Sequence, residues 1–242
     1  MPLVKASEHY AEKFEIVLYG VPGIGKTTLW ADHPNVLYLE VDDNGATVLQ
    51  RHKYAERINV FFTRSWAELA DFVAVKLPAS QLVKTRPLVV VDTISECQTL
   101  ERMRQVGASP LKDPKWEFNQ NIYTKNNAQV MALMRELKKL KLSVVYNCHM
   151  TEFMKGEGKE AELIIRPSLS SKLLDAVQAN VDGQFFYEWA GANRILRFQE
   201  SGEIQTKSRF KSVPRLTNPS WTTLEPILTS NMRPSETGAK VA

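Results

Sequence analysis

The sequence predicts an α/β protein in which helices flank a mainly parallel sheet and antiparallel strands lie toward the C-terminal end. Three observations carry this. Strand-like and helix-like segments alternate from residue 15 to about residue 150. The run Leu88-Val89-Val90-Val91 is apolar throughout, as a central strand covered on both faces requires. Beyond residue 150 the segments become short, antiparallel-looking strands around one short helix.

The elements follow in order. Glu15-Ile16-Val17-Leu18-Tyr19 is an apolar strand running straight into a glycine-rich turn. Residues 26–32 form a short helix, stopped by Pro34. Residues 36–41 are a second strand, followed by Asp42-Asp43-Asn44-Gly45, acidic and turn-prone. Residues 58–63 are a third strand. Ser65-Trp66-Ala67-Glu68 then has capping-box spacing, with Leu69, Phe72, Val73 and Leu77 behind it at helical intervals. Pro87 opens the strand 88–92, and helices follow over 95–106 and 120–141. Lys138, Lys139 and Lys141 complement the dipole at the end of the second of these. Residues 142–148 are another buried strand, 151–154 and 162–165 a protruding hairpin, and 171–179 a helix. Strands at 183–189 and 194–199 complete a domain spanning 1–215. The remainder, 216–242, is rich in Pro, Ser and Thr and reads as a loosely packed tail.

Composition narrows the class. A chain of 242 residues, 43% apolar and 24% charged, suggests one large domain, or one with a small appendage, and a sizeable core. No apolar run approaches the about 18 residues that cross a bilayer, and the first residues carry no stretch of signal-peptide length. A cytoplasmic protein without membrane partners is expected. Cys97 and Cys148 lie in apolar contexts without CxxC spacing, which argues against a disulfide or zinc scaffold. The net charge of +4 permits nucleic acid without demanding it. Between Arg194 and Arg215, six basic residues stand against two acidic ones.

The most specific signal is Gly20-Val21-Pro22-Gly23-Ile24-Gly25-Lys26-Thr27, which fits G-x-x-x-x-G-K-[ST] at every required position and continues into Thr28. Glycines let backbone amides converge on phosphates, and the following helix directs its positive end at them. Lys26 reaches the β- and γ-phosphates, and the Thr27 hydroxyl ligates Mg²⁺. Asp92, ending its strand 66 residues after Lys26, can hold the metal's shell water. ATP and Mg²⁺ are therefore the expected ligands. Thr93 follows Asp92, so the hydrolytic base must come from elsewhere; Asp42 is favoured, with Glu40 next and Asp43 in the same cluster. His149, or the Asn147 amide, stands at the carboxyl edge of the sheet, where it can read the γ-phosphate.

The P-loop, the strand-end Asp92, the polar strand end at Asn147–His149 and the late segment Thr206-Lys207-Ser208-Arg209-Phe210 occur in the order seen in RecA/RadA-type ATPases. The last segment is similar to the Lys-Asn-Arg-Phe-Gly motif of RadA, with Ser208 for Asn and Lys211 for Gly. The chain as a whole resembles short phage-encoded RecA-like ATP-binding proteins, some of them single-strand annealing proteins of the Sak type, over about residues 12–213. That resemblance implies a RecA-like core, DNA-stimulated ATP hydrolysis, single-stranded DNA as partner, and a host-cell cytoplasmic location. It further implies a homo-oligomer in which Lys207 and Arg209 act on the neighbouring subunit's γ-phosphate, and a single-strand binding protein as a further partner. No Phe-x-x-Ala polymerisation motif is present. DNA-binding loops would map to 107–119, with Trp116, and to 150–166, with Phe153, Lys155 and Arg166. Aromatic and basic side chains together hold single strands without sequence preference, although 150–166 also carries four glutamates. Trp116 can equally pack its connector onto the core. A P-loop small-molecule kinase and a nucleotide-gated adaptor or loader are the alternatives.

Overall fold

The computed structural model describes residues 13–107, 120–156, 161–210 and 215–230. The expected α/β architecture is present. Among the described residues one sheet of ten strands runs β10-β8-β7-β1-β5-β4-β2-β3, with β6 paired to β5 and β9 to β7. β1 (Glu15–Gly20), β5 (Val144–Lys155), β4 (Leu88–Asp92), β2 (Val36–Glu40) and β3 (Ile58–Phe62) are mutually parallel, as is β7 (Gly183–Ala190) beside β1. The antiparallel partners are β6 (Glu162–Pro167), β8 (Asn193–Arg197), β9 (Lys207–Ser208) and β10 (Arg215–Thr217).

Strand periodicity sends alternate residues to two cores. Ile16, Leu18, Tyr38, Val90 and Val145 face α1 (Lys26–Ala31) and α2 (Asp43–Gln50) through Leu29, Trp30 and Leu49. Val17, Leu39, Val91, Tyr146 and Cys148 face a second layer. That layer contains α3 (Trp66–Asp71), α4 (Leu77–Ala79), α5 (Gln81–Lys84), α6 (Ile94–Val106), α7 (Gln120–Lys139) and α8 (Ser171–Asn180). A π-helical stretch, Phe72–Lys76, joins α3 to α4, so the helix predicted from Ser65 is continuous to Ala79. The Ser65 side chain caps it by accepting from Glu68 N. Both cysteines are buried and reduced, and among the described residues no helix is long and apolar enough to cross a membrane.

Two expectations are corrected. Residues 42–45 are not a turn: α2 begins at Asp43, because the Glu40 carboxylate accepts from Asp42 N at 3.1 Å and lies against the backbone of Gly45. Nor are residues after 215 loosely packed up to Ser230. β10 pairs with β8, and α9 (Trp221–Leu228) buries Trp221, Leu224 and Leu228 in the α1-side core. The remaining tail residues, 231–242, lie outside the described residues.

Candidate nucleotide-binding site

The site grows from the carboxyl end of β1. A Cβ at Gly20 would lie 2.1 Å from the Tyr187 carbonyl oxygen, so β7 approaches as closely as glycine allows. Gly23 and Gly25 have φ of 76° and 101°, the left-handed region that turns the loop back into α1. Lys26 opens that helix, and its ammonium donates to the carbonyls of Gly20 (2.9 Å) and Val21 (3.0 Å). The side chain is only 6% exposed. Burial lowers its pKa, against the opposing charge of Asp92.

Sheet register assembles the rest. Glu40, Asp92 and Asn147 are level with one another on β2, β4 and β5, and period-two alternation puts all three on the α1 face. Thr27 Oγ1 donates to Asp92 Oδ2 at 2.6 Å, Trp30 Nε1 to Asn147 Oδ1 at 3.1 Å, and the Tyr38 hydroxyl to the Thr27 carbonyl at 2.6 Å. Three strands thus fasten one short helix. Asp92 is buried, which raises its pKa; Thr27, Asn147 and Lys26 oppose the shift, and the Asp42 charge adds to it. Thr93 caps α6 through Glu96 N, a structural use for the residue that stands where a glutamate base would be.

The donor set fits magnesium nucleotide. A glycine cradle, a buried ammonium, a hydroxyl and a strand-end carboxylate converge at one end of the sheet. Thr27 and Asp92 would hold the ion, which when bound polarises phosphoryl oxygens. Lys26 supplies positive charge where phosphate charge develops.

The candidate bases divide by position. Glu40 is completely buried, with its carboxylate directed at the start of α2. Asp42 is half-buried at the open strand end, close enough for its charge to act on Asp92. Nothing is described of the Asp43 side chain. His149 lies level with Gly20, the first P-loop residue. Its backbone is fixed by Ser95 Oγ and Ser168 N, and its Nδ1 is buried without a hydrogen bond.

The late basic pair is elsewhere. β9 places Lys207 level with Gln184 and Val17, about 10 Å below Gly20 at the strand rise. Neither Lys207 nor Arg209 therefore completes the P-loop of its own chain. Lys207 also departs from the expected outward-reaching cation: its ammonium donates to the carbonyls of Gln178 and Val181 at the end of α8. A lysine satisfies orphan helix carbonyls well. Arg209 is exposed, with Asp182 Oδ1 at 3.5 Å.

The DNA residues separate likewise. Trp116 and its loop lie outside the described residues. Phe153, Lys155 and Arg166 come together on the β5–β6 hairpin, where the Arg166 guanidinium sits 4.2 Å above the Phe153 ring and Lys155 is exposed.

One site residue escaped the motifs. Arg194, on β8, lies against the P-loop: a Cβ at Gly25 would be 2.9 Å from its Nη1. The basic bias of residues 194–215 was its only trace in the sequence.

A parallel sheet with this loop, a Thr–Asp pair and a buried lysine at its carboxyl end defines a P-loop nucleoside triphosphatase. Residues 12–210 match the family model AAA_24, an AAA domain, and the chain belongs to that family of P-loop ATPases. No curated protein matches it.

Proposed function

We propose that the protein is a magnesium-dependent ATPase that binds single-stranded DNA and promotes its annealing or recombination, acting as a homo-oligomer. The observation that carries this reading is the continuity of β5. The strand passes Asn147 and His149 beside the P-loop, then extends to Phe153, Met154 and Lys155 at the hairpin. A shift at the phosphate end has a stiff, hydrogen-bonded path to an exposed ring, since Phe153 is 41% exposed. An accessible aromatic flanked by Lys155 and Arg166 is the chemistry of a base-stacking platform. Arg209 is exposed and remote from its own P-loop, which supports a role at a neighbour's site.

The test is ATP hydrolysis with and without single-stranded DNA, paired with anisotropy of a labelled oligonucleotide at two salt concentrations. Stimulation, and affinity that falls steeply with salt, are expected. Phe153→Ala should weaken binding by about 1–3 kcal/mol. Absence of single-strand binding in every nucleotide state would contradict the DNA role and leave a nucleotide-gated adaptor.

A further inference from the structure

The β7–β8 hairpin stands beside the P-loop, and its contents are not explained by any phosphate motif. Tyr187 on β7 is level with Gly20, so Trp189, two residues further, rises past the carboxyl end of β1. Trp189 pairs across the hairpin with Arg194. The Arg194 guanidinium lies 4.9 Å from the centre of the Trp189 ring and packs onto Gly25, with Nη1, Cζ and Nη2 at 2.9, 3.2 and 3.5 Å from the position of a Cβ there. The backbone of Arg194 is clamped from β10's side: its N donates to Asn218 Oδ1 at 2.9 Å, and Asn218 N donates to its carbonyl at 2.7 Å. Its side chain also hydrogen-bonds the Tyr187 hydroxyl, and among the described residues no carboxylate pairs with this cation.

A guanidinium that rests on an aromatic face, without a counter-ion, is predisposed to take an anion in its plane. The anion expected next to Gly25 is the α/β-phosphate group, which the amides of such loops cradle. We propose that Arg194 is a nucleotide ligand in cis, turning from Trp189 onto the α- and β-phosphates of ADP or ATP. The β7–β8 hairpin thereby reports nucleotide occupancy. This rests on the nucleotide-site reading above and adds to it a residue, a phosphate position and a signal.

The test is calorimetric titration of ADP and of ATP, with magnesium, into the wild type, Arg194→Ala, Arg194→Lys and Trp189→Phe, each first checked for a cooperative melt. Arg194→Ala should weaken both nucleotides by about tenfold or more, which corresponds to about 1.4 kcal/mol. Arg194→Lys should recover part of the loss, because charge returns without the planar fork. Nucleotide should change tryptophan fluorescence in the wild type, and that change should vanish in both Trp189→Phe and Arg194→Ala. If Arg194→Ala does not fold, the lysine variant and the fluorescence of Trp189→Phe decide the matter. Unchanged affinity for both nucleotides in folded Arg194 variants would overturn the assignment, as would a loss confined to ATP, which would put the contact at the γ-phosphate. If the wild type binds neither nucleotide, the underlying site reading fails, and that result is distinct from a loss seen only in the variants.

Discussion

Thr27 Oγ1 donates its proton to Asp92 Oδ2 at 2.6 Å, which joins the start of α1 to the end of β4 across 65 residues of chain. With the proton committed to Asp92, the hydroxyl lone pairs of Thr27 are left for a hard cation, and Asp92 faces the same space. The pair is set before any ligand arrives, which reduces the ordering that binding requires.

Asp92 brings a cost that its variant should reveal. Burial raises its pKa, so the folded chain holds a proton where the unfolded chain has already lost it. Stability of the ligand-free protein should therefore fall as pH rises above the ordinary carboxylate value of 3.8. Asp92→Asn should remove that slope and raise the apparent Tm at neutral pH, by about 2–4 °C for each kcal/mol gained. Magnesium-dependent nucleotide binding should be lost. Thermal melts from pH 4 to 8, with and without magnesium ATP, check both halves.

Asp42 and Glu40 should separate by phenotype. As the base, Asp42 gives an Asn variant that binds ATP normally and hydrolyses it about a hundredfold slower. Glu40→Gln should instead lower Tm, because the completely buried carboxylate holds the start of α2. Single-turnover hydrolysis and melting curves of both variants make the comparison. A dead but fully stable Glu40→Gln would exchange their roles.

The C-terminal helix is a structural claim with a simple check. Leu224 is fully buried against the α1-side core. Leu224→Ala should destabilise by about 2–5 kcal/mol, whereas a substitution in a loose tail would not be felt. Urea unfolding of the wild type and the variant measures it.

His33 predicts a slope opposite to that of Asp92. Its ring meets Trp221 edge-on, with centroids 4.4 Å apart, and burial lowers its pKa to about 4. The unfolded chain takes up a proton near 6.5 and the folded chain only near 4, so the stability present above 6.5 is lost as pH falls through that window. His33→Gln should remove this rise of Tm between those limits and leave the opposite, falling contribution of Asp92.

What was legible in the sequence follows the reach of each signal. The P-loop is eight consecutive residues, so its glycines and Lys26 announce themselves. Asp92 was legible because a carboxylate ending an apolar strand has few other uses. The turn expected at 42–45 rested on sound local chemistry, but Glu40 supplies a cap that propensity does not include. The stripe of Trp221, Leu224 and Leu228 was hidden by surrounding Ser, Thr and Pro226. Arg194 was least legible: it reaches Gly25, 169 residues earlier, only through the register of an antiparallel hairpin. The inward turn of Lys207 depends in the same way on where α8 ends.

The most direct test of the central claim is equilibrium binding of magnesium ATP to the wild type and to Lys26→Ala, with a thermal melt of each. Among the described residues the ammonium of Lys26 donates to two loop carbonyls and lies in the field of Asp92. Its removal should leave the fold intact, with Tm unchanged or higher, and abolish ATP binding. A folded Lys26→Ala protein that binds ATP as tightly as the wild type would contradict the nucleotide site itself.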